Sequence, residues 1–337
     1  MYSDDADWLP ADEAARRLDV MPATLYAYVS RGLIRSERWR GRTRRYHAAD
    51  IAALRSGSMP AGPVVTTAIT LVRGGRVYFR GHDAVELARS LSVREAAALI
   101  WNCDPAASFA ADNVPDPLPG GGGLRSALSA VSPLGRMLAL LQLVTANEPH
   151  RPQATAAFFG YAGARLLRFL AAAAAGRGAS ARPIEAVLAE AWGLDRTTRP
   201  LLRAALILSA DNGVDAAAAA ARAAAAAGLP PWRSVAAGLG ALDFDAEGAT
   251  DARTAALAAW TSRPPAHSLP QAVRQLGVAL GIPADAATTL YAIGRAIGLM
   301  AHVAEERTAR RGFRARGAYR GAAPASGPGP SPQSGRG

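Results

Sequence analysis

Leu-Gly-Ile-Pro at 280–283, Tyr-Ala-Ile-Gly-Arg at 291–295 and Ala-His-Val at 301–303 fall in one continuous stretch near the C-terminal end of the chain. Residues 284–305 read as a helix that carries a single arginine, Arg295, and a single histidine, His302, among small and apolar side chains. A histidine in that setting reads as packed rather than catalytic. Upstream, helical segments are expected near 124–146, 153–175, 183–192, 199–210, 214–228, 232–242, 251–260 and 269–280. Half of the residues are hydrophobic but only 6% are aromatic, so alanine and leucine supply most of the apolar surface and favour helix. The exception is Ala68-Ile69-Thr70-Leu71-Val72, Arg73-Gly74-Gly75, Arg76-Val77-Tyr78-Phe79, which reads as a β-hairpin. An amphipathic helix follows over 84–101. Residues 104–123, rich in Pro, Gly and Asp, read as a long surface loop in which Gly120 to Gly123 are a flexible run, with no Lys-Ser/Thr to make a phosphate cradle.

The chain has 337 residues, enough for two domains or more. All 38 basic residues are arginine, and the net charge of +11 favours an anionic partner. The single cysteine, Cys103, excludes an intrachain disulfide and a cysteine-cluster metal site, and reads as a small buried hydrophobe beside Trp101. The five histidines show no pair at metal-ligand spacing, so no metal and no cofactor is expected. No stretch reads as a signal peptide or as an apolar run long enough to span a bilayer. The expected location is cytoplasmic, away from the membrane.

Residues 1–57 form a unit of their own. Acids at Asp12 and Glu13 open a first helix; Asp19-Val20-Met21 makes a turn; Pro22 starts a second helix that Gly32 stops. Leu33-Ile34-Arg35 and Arg44-Arg45-Tyr46-His47 read as short strands around a basic loop, and 50–54 as a closing helix. Between residues 31 and 47 there are seven arginines and one acid, Glu37. Residues 58–66 read as a linker and 322–337 as a disordered tail of Pro, Gly, Ser and Ala.

Ala-Thr-Leu-Tyr-Ala-Tyr-Val-Ser-Arg-Gly-Leu-Ile (23–34) and Arg-Arg-Tyr (44–46) resemble the winged helix-turn-helix of the MerR and excisionase-like families. That resemblance implies DNA as a partner. The second helix would offer Thr24, Tyr26, Tyr28 and Arg31 to the major groove, and Arg38, Arg40, Arg42, Arg44 and Arg45 would meet phosphates.

The segments 280–283, 291–295 and 301–303 resemble citrate synthase. So do 67–72 with 78–88, Ala-Leu-Ile-Leu-Ser-Ala-Asp-Asn-Gly-Val-Asp-Ala (205–216) and Arg-Ala-Arg-Gly-Ala-Tyr-Arg-Gly (314–321). The resemblance covers most of 67–321. It implies a mainly α protein: a helical large domain with a short hairpin at its start, behind the winged unit. The family condenses acetyl-CoA with oxaloacetate. Its catalytic aspartate falls here on Pro270, its enolate-stabilising histidine on Ala246 or Glu247, and an oxaloacetate-binding histidine on Asn212. The segment carrying its second catalytic histidine is missing, along with most of the small domain. An acid pair of Asp211 and Glu247 would need the fold to unite them. Arg295 and Arg314 match the family's carboxylate-binding arginines, the latter donated across a dimer.

These residues imply a non-catalytic, DNA-binding regulator or a partner of a complete synthase. The alternative is an active acyltransferase using residues at other positions. Expected partners are DNA, a second copy of the chain through the alanine-rich helices 199–210, 214–228 and 232–242, a small carboxylate, and a complete citrate synthase in a mixed dimer that receives Arg314.

Overall fold

The computed structural model describes residues 8–30, 34–39, 43–55, 66–115, 121–146, 148, 155–245 and 250–309. The chain divides into two compact units, one N-terminal to residue 65 and one within 65–313.

The first unit runs β1 (Trp8–Pro10), α1 (Ala11–Leu18), α2 (Pro22–Ser30), β2 (Ser36–Trp39), β3 (Thr43–His47) and α3 (Ala48–Arg55). Asp19 ends α1 in the left-handed conformation, with φ 54°, which turns the chain sharply into α2. The sheet is antiparallel in the order β1-β3-β2. Leu9 lies opposite Tyr46, and Ser36 also pairs with Tyr46, so the fully buried Tyr46 sits at the middle of the sheet. Leu25, Ile34 and Ile51 pack with Leu9 and Tyr46 to close a small core. Two expectations change here. The strand expected over 33–35 begins at Ser36, because Ile34 is drawn into that core while Arg35 is tied to Asp50 of α3. Trp8–Pro10 adds a third strand that no alternating pattern announced.

The second unit opens with β4 (Thr70–Arg73), β5 (Arg76–Phe79) and β6 (His82–Asp83), an antiparallel meander. Gly74 and Gly75, both at positive φ, make the two-residue turn that such a hairpin prefers. The helices follow: α4 (Ala84–Ser90), α5 (Val93–Trp101), α6 (Pro105–Ser108), α7 (Gly121–Ala127), α8 (Pro133–Thr145), α9 (Ala156–Ala175), α10 (Ile184–Ala191), α11 (Arg199–Leu208), α12 (Ala216–Ala226), α13 (Pro231–Gly240), α14 (Ala252–Thr261), α15 (Leu269–Leu280) and α16 (Ala284–Thr308). A 3-10 turn at Arg196–Thr198 leads into α11.

The single helix expected over 84–101 is two. Ser92 forms a reciprocal capping box with Glu95, which starts a new helix at Val93. Likewise 124–146 breaks at Ser132-Pro133, where Ser132 caps α8. The stretch expected as a surface loop is partly internal. Phe109 and Asn113 are buried, and Arg168 of α9 donates to the carbonyls of Phe109 (3.0 Å), Ala110 (2.9 Å) and Asn113 (2.5 Å). Gly121 to Gly123 belong to the first turn of α7 rather than to a loop.

Helix α16 is buried over nearly its whole length and packs against α9, α11, α12, α13 and α15. The close approach depends on Gly298, whose N–H donates to the Ala210 carbonyl at 2.9 Å. A Cβ on Gly298 would collide with Ala210 O and with the Asp211 side chain. Among the described residues no helix is long and apolar enough to cross a membrane, and no group of side chains is arranged to hold a metal ion.

Candidate functional site

Asp211 follows the end of α11, and the packing of α16 places it beside Arg295 and His302. All three side chains are fully buried. Arg295 Nη1 lies 3.2 Å from Asp211 Oδ1, and His302 Nε2 lies 3.2 Å from the same oxygen. Thr70 Oγ1, at the start of β4, donates to Asp211 Oδ2 at 2.6 Å, and the Gly213 amide donates to that oxygen at 2.9 Å. Burial by itself would raise the Asp211 carboxyl. The hydrogen bonds and charges of His302, Arg295 and Thr70 outweigh it and hold the group well below the usual carboxylate range. Arg222 extends the network, pairing with Glu305 at 2.7 Å and Glu306 at 3.1 Å. His302 is therefore packed in an ionic network, as its setting in the sequence implies.

Arg295 has a second carboxylate. Both oxygens of Asp215 accept from its Nη2, at 2.9 and 2.8 Å. Burial works against the Arg295 charge, and Asp211 and Asp215 more than restore it, raising its pKa above the ordinary value. Asp215 is also the N-cap of α12, accepting from the Ala218 amide at 2.8 Å. One carboxylate thus fixes the start of a helix and occupies the guanidinium.

Asp215 lines a cleft of about 400 Å³ with Asn212, Asp243, Asp251, Arg253, Pro270 and Tyr291. The structure therefore brings together three of the residues singled out in the sequence, Asn212 and Pro270 in the wall and Arg295 behind Asp215. Asn212 is held at both ends of its amide: Nδ2 donates to Tyr291 Oη at 2.9 Å, and Oδ1 accepts from Arg253 at 3.0 Å. Burial pushes the Tyr291 phenol up. Arg253 is nearly buried and pairs with Asp251 at 2.7 Å, donating also to the carbonyls of Leu208 and Asp211. Pro270 lies buried in the first turn of α15, offering neither a base nor an amide donor. The wall holds three carboxylates and one guanidinium, and that guanidinium is already paired. Among the described residues, a dicarboxylate brought here meets excess negative charge and no free cation in the cleft wall.

Ala246, Glu247 and Arg314 lie outside the described residues, so neither the Asp211–Glu247 pair nor the donated arginine is placed. Sequence reasoning missed Asp215, Asp251 and Arg253. An aspartate directly before a run of alanines is a legible N-cap signal, but its second role as partner of a side chain 80 positions away is not.

In the first unit, α2 presents Tyr26, 56% exposed, with Thr24 half-buried, while Tyr28 packs against the core. Arg44 is exposed on β3 and donates to Ser36 Oγ at 3.0 Å. Arg45, on the opposite face of the strand, is locked: it pairs with Glu37 at 2.6 Å and lies 3.3 Å from the centroid of Trp39. Arg38 lies on β2 opposite Arg44. Arg31, Arg40 and Arg42 lie outside the described residues.

Two families match the sequence. "Citrate synthase, C-terminal domain" matches residues 59–276, more than half of the chain, and "Helix-turn-helix domain" matches residues 8–59. Among solved structures the chain is similar to the citrate synthase of Thermotoga maritima, with 17% identity and a TM-score of 0.57 over 78% of this chain and 94% of that one. It is also similar to the citrate synthase of Thermoplasma acidophilum, solved as a ternary complex with carboxymethyl coenzyme A and oxaloacetate. There the identity is 15% and the TM-score 0.59, over 80% of this chain and 96% of that one. At these identities the likeness is one of fold. No curated protein sequence matches the chain.

Proposed function

The chain belongs to the citrate synthase family, and from that premise we propose that it acts as a DNA-binding member of the family without synthase turnover. The observation that carries the reading is the pairing of Arg295 with Asp211 and Asp215. A guanidinium that would take a substrate carboxylate is already paired, through both terminal nitrogens, with two carboxylates of its own chain. Releasing it would take the guanidinium from the fully buried Asp211, and that costs more than a single dicarboxylate contact returns. Pro270 and Asn212 agree with this reading. The proline cannot accept a proton, and the asparagine amide is oriented by Tyr291 and Arg253.

The first unit supports the other half of the proposal. A second helix with an exposed Tyr26 and an antiparallel wing bearing an exposed Arg44 suit a duplex, the helix in the major groove and the wing on phosphate. A second copy of the chain would match a two-fold DNA site.

Two measurements test the two halves separately. Thiol release from acetyl-CoA with oxaloacetate should stay at background; turnover above it, abolished by a point change in the chain, establishes an active acyltransferase instead. A gel shift on the duplex upstream of the chain's own gene should show binding that weakens steeply with salt. Absence of duplex binding at low salt removes the DNA-binding role.

A further inference from the structure

A second cleft, of about 500 Å³, lies among the starts of α5, α6 and α10 and the middle of α9. Its wall is apolar at Val93, Pro105, Phe109 and Ile184, and basic at Arg94 and Arg168. Arg168 is only 3% exposed, and among the described residues its guanidinium donates solely to neutral carbonyl oxygens. Neither Arg168 nor Arg94 forms an ion pair among the described residues. Their guanidinium carbons lie 5.7 and 5.8 Å from the centroid of one ring, Phe109. Burial and the neighbouring Arg94 charge both press the Arg168 pKa below its ordinary value, with Asp112 as a weak counterweight. Two cations thus face one aromatic ring at the edge of a cavity without an ion pair among the described residues, Glu95 and Asp112 acting on Arg94 and Arg168 only through space, an arrangement that ordinarily carries a heavy desolvation cost for the buried member.

Three further charges, Glu95, Arg182 and Glu185, line the cleft. Glu95 is held by the amide and hydroxyl of Ser92, and Arg182 is paired with Glu190. Glu185 stands in the first turn of α10. The start of α10 adds a favourable element, since Pro183 supplies no side-chain cap to its first amides.

We propose that this cleft binds an organic anion, with its oxyanion head against Arg94 and Arg168 and its apolar body against Phe109, Pro105 and Ile184. The carbonyl bonds of Arg168 account for the shape of 109–113, but not for a second arginine brought to the same ring. A carboxylate or phosphate head supplies the missing charge to both, through charge-assisted hydrogen bonds. The cavity is of the size that encloses a small ligand.

The test is calorimetric titration of the full chain, without DNA or acetyl-CoA, so that its failure leaves the proposed function untouched. Benzoate and phenyl phosphate are the two anionic probes, and benzyl alcohol is the neutral control of similar body. One of the anions should bind at a single site, about tenfold or more tighter than the alcohol. The tighter of the two identifies the head group. Arg94→Ala, at an exposed position, should fold normally by circular dichroism and lose about tenfold in affinity, while Arg94→Lys retains most of it. Arg168→Met should lose binding as well, but it also strips the 109–113 carbonyls of their donor, so Arg94 is the deciding position. Three outcomes overturn the proposal: no saturable binding of either anion at about 10 mM, equal binding of the alcohol, or an Arg94→Ala protein that binds like the parent.

Discussion

Asp215 holds Arg295 through both of its carboxylate oxygens, 2.9 and 2.8 Å from Nη2, across 80 positions of sequence. The carboxylate is one-third exposed to the cleft while the guanidinium is fully buried, so the pair stands as the wall between solvent and the Asp211 network. Exchange of this internal carboxylate for an external one is the step by which the cleft could regain a dicarboxylate ligand.

Asp215→Ala should therefore do two things. Loss of the N-cap of α12 and of one partner of Arg295 should lower stability by about 2 kcal/mol, read from urea denaturation. Malonate should then raise the melting temperature of the variant and leave the parent unchanged, because only in the variant is Nη2 free to receive a carboxylate. Equal shifts in both proteins would show that the pair does not block the cleft.

Acid should act through Asp211. Its folded-state pKa is depressed, so its contribution to stability is complete above the ordinary carboxylate range and is lost as pH falls through that range toward the folded value. Asp211→Asn should cost about 3–5 kcal/mol at neutral pH, since Arg295 loses the charge it pairs with and two donors, Thr70 and Gly213, lose a carboxylate oxygen to an amide that offers one acceptor in all. The gap between parent and variant should narrow as pH is lowered below about 4. Urea midpoints measured down the acid limb check the sign; a gap that widens in acid contradicts it.

Arg44 and Arg45 stand side by side in sequence but should behave differently. Arg44→Ala should weaken binding to every duplex alike and reduce the slope of log K against log salt by about 1. Arg45→Ala removes the partner of Glu37 and the cation over Trp39, so it should also lower the melting temperature of the first unit. Gel shifts over a salt series, with thermal denaturation alongside, separate the two effects.

Gly298→Ala should be among the most damaging single changes in the chain. The added methyl meets the Ala210 carbonyl and the Asp211 side chain, and rigid backbone cannot yield as a flexible side chain can. A loss of about 3 kcal/mol or more is expected from denaturant unfolding, whereas Gly240→Ala, with nothing near the new methyl, should leave stability nearly unchanged.

Much of the architecture was legible in the residues. The Gly74-Gly75 turn, the run 284–305 and the two-helix unit with its basic strand all follow from signals that act within one turn of helix or one hairpin. Where expectation and structure part, a short-range signal was overlooked or a distant one was out of reach. Ser92 with Glu95 is a capping box in plain view, while the burial of Phe109 and Asn113 depends on Arg168, more than fifty residues away.

The site divides in the same way. Sequence alone determined that Pro270 cannot take a proton, because that is a property of the residue. It also placed Arg295 on a long helix among small side chains. Only the tertiary structure decided that Arg295 is already paired with two acids, that Asn212 is tied to Tyr291 and Arg253, and that the cleft wall carries three carboxylates. Propensity, capping and turn chemistry are settled between near neighbours in the chain. The partner of a buried charge is settled by which helices pack together, and here Gly298 brings α16 close enough to the end of α11 for Asp211 and Asp215 to reach the guanidinium.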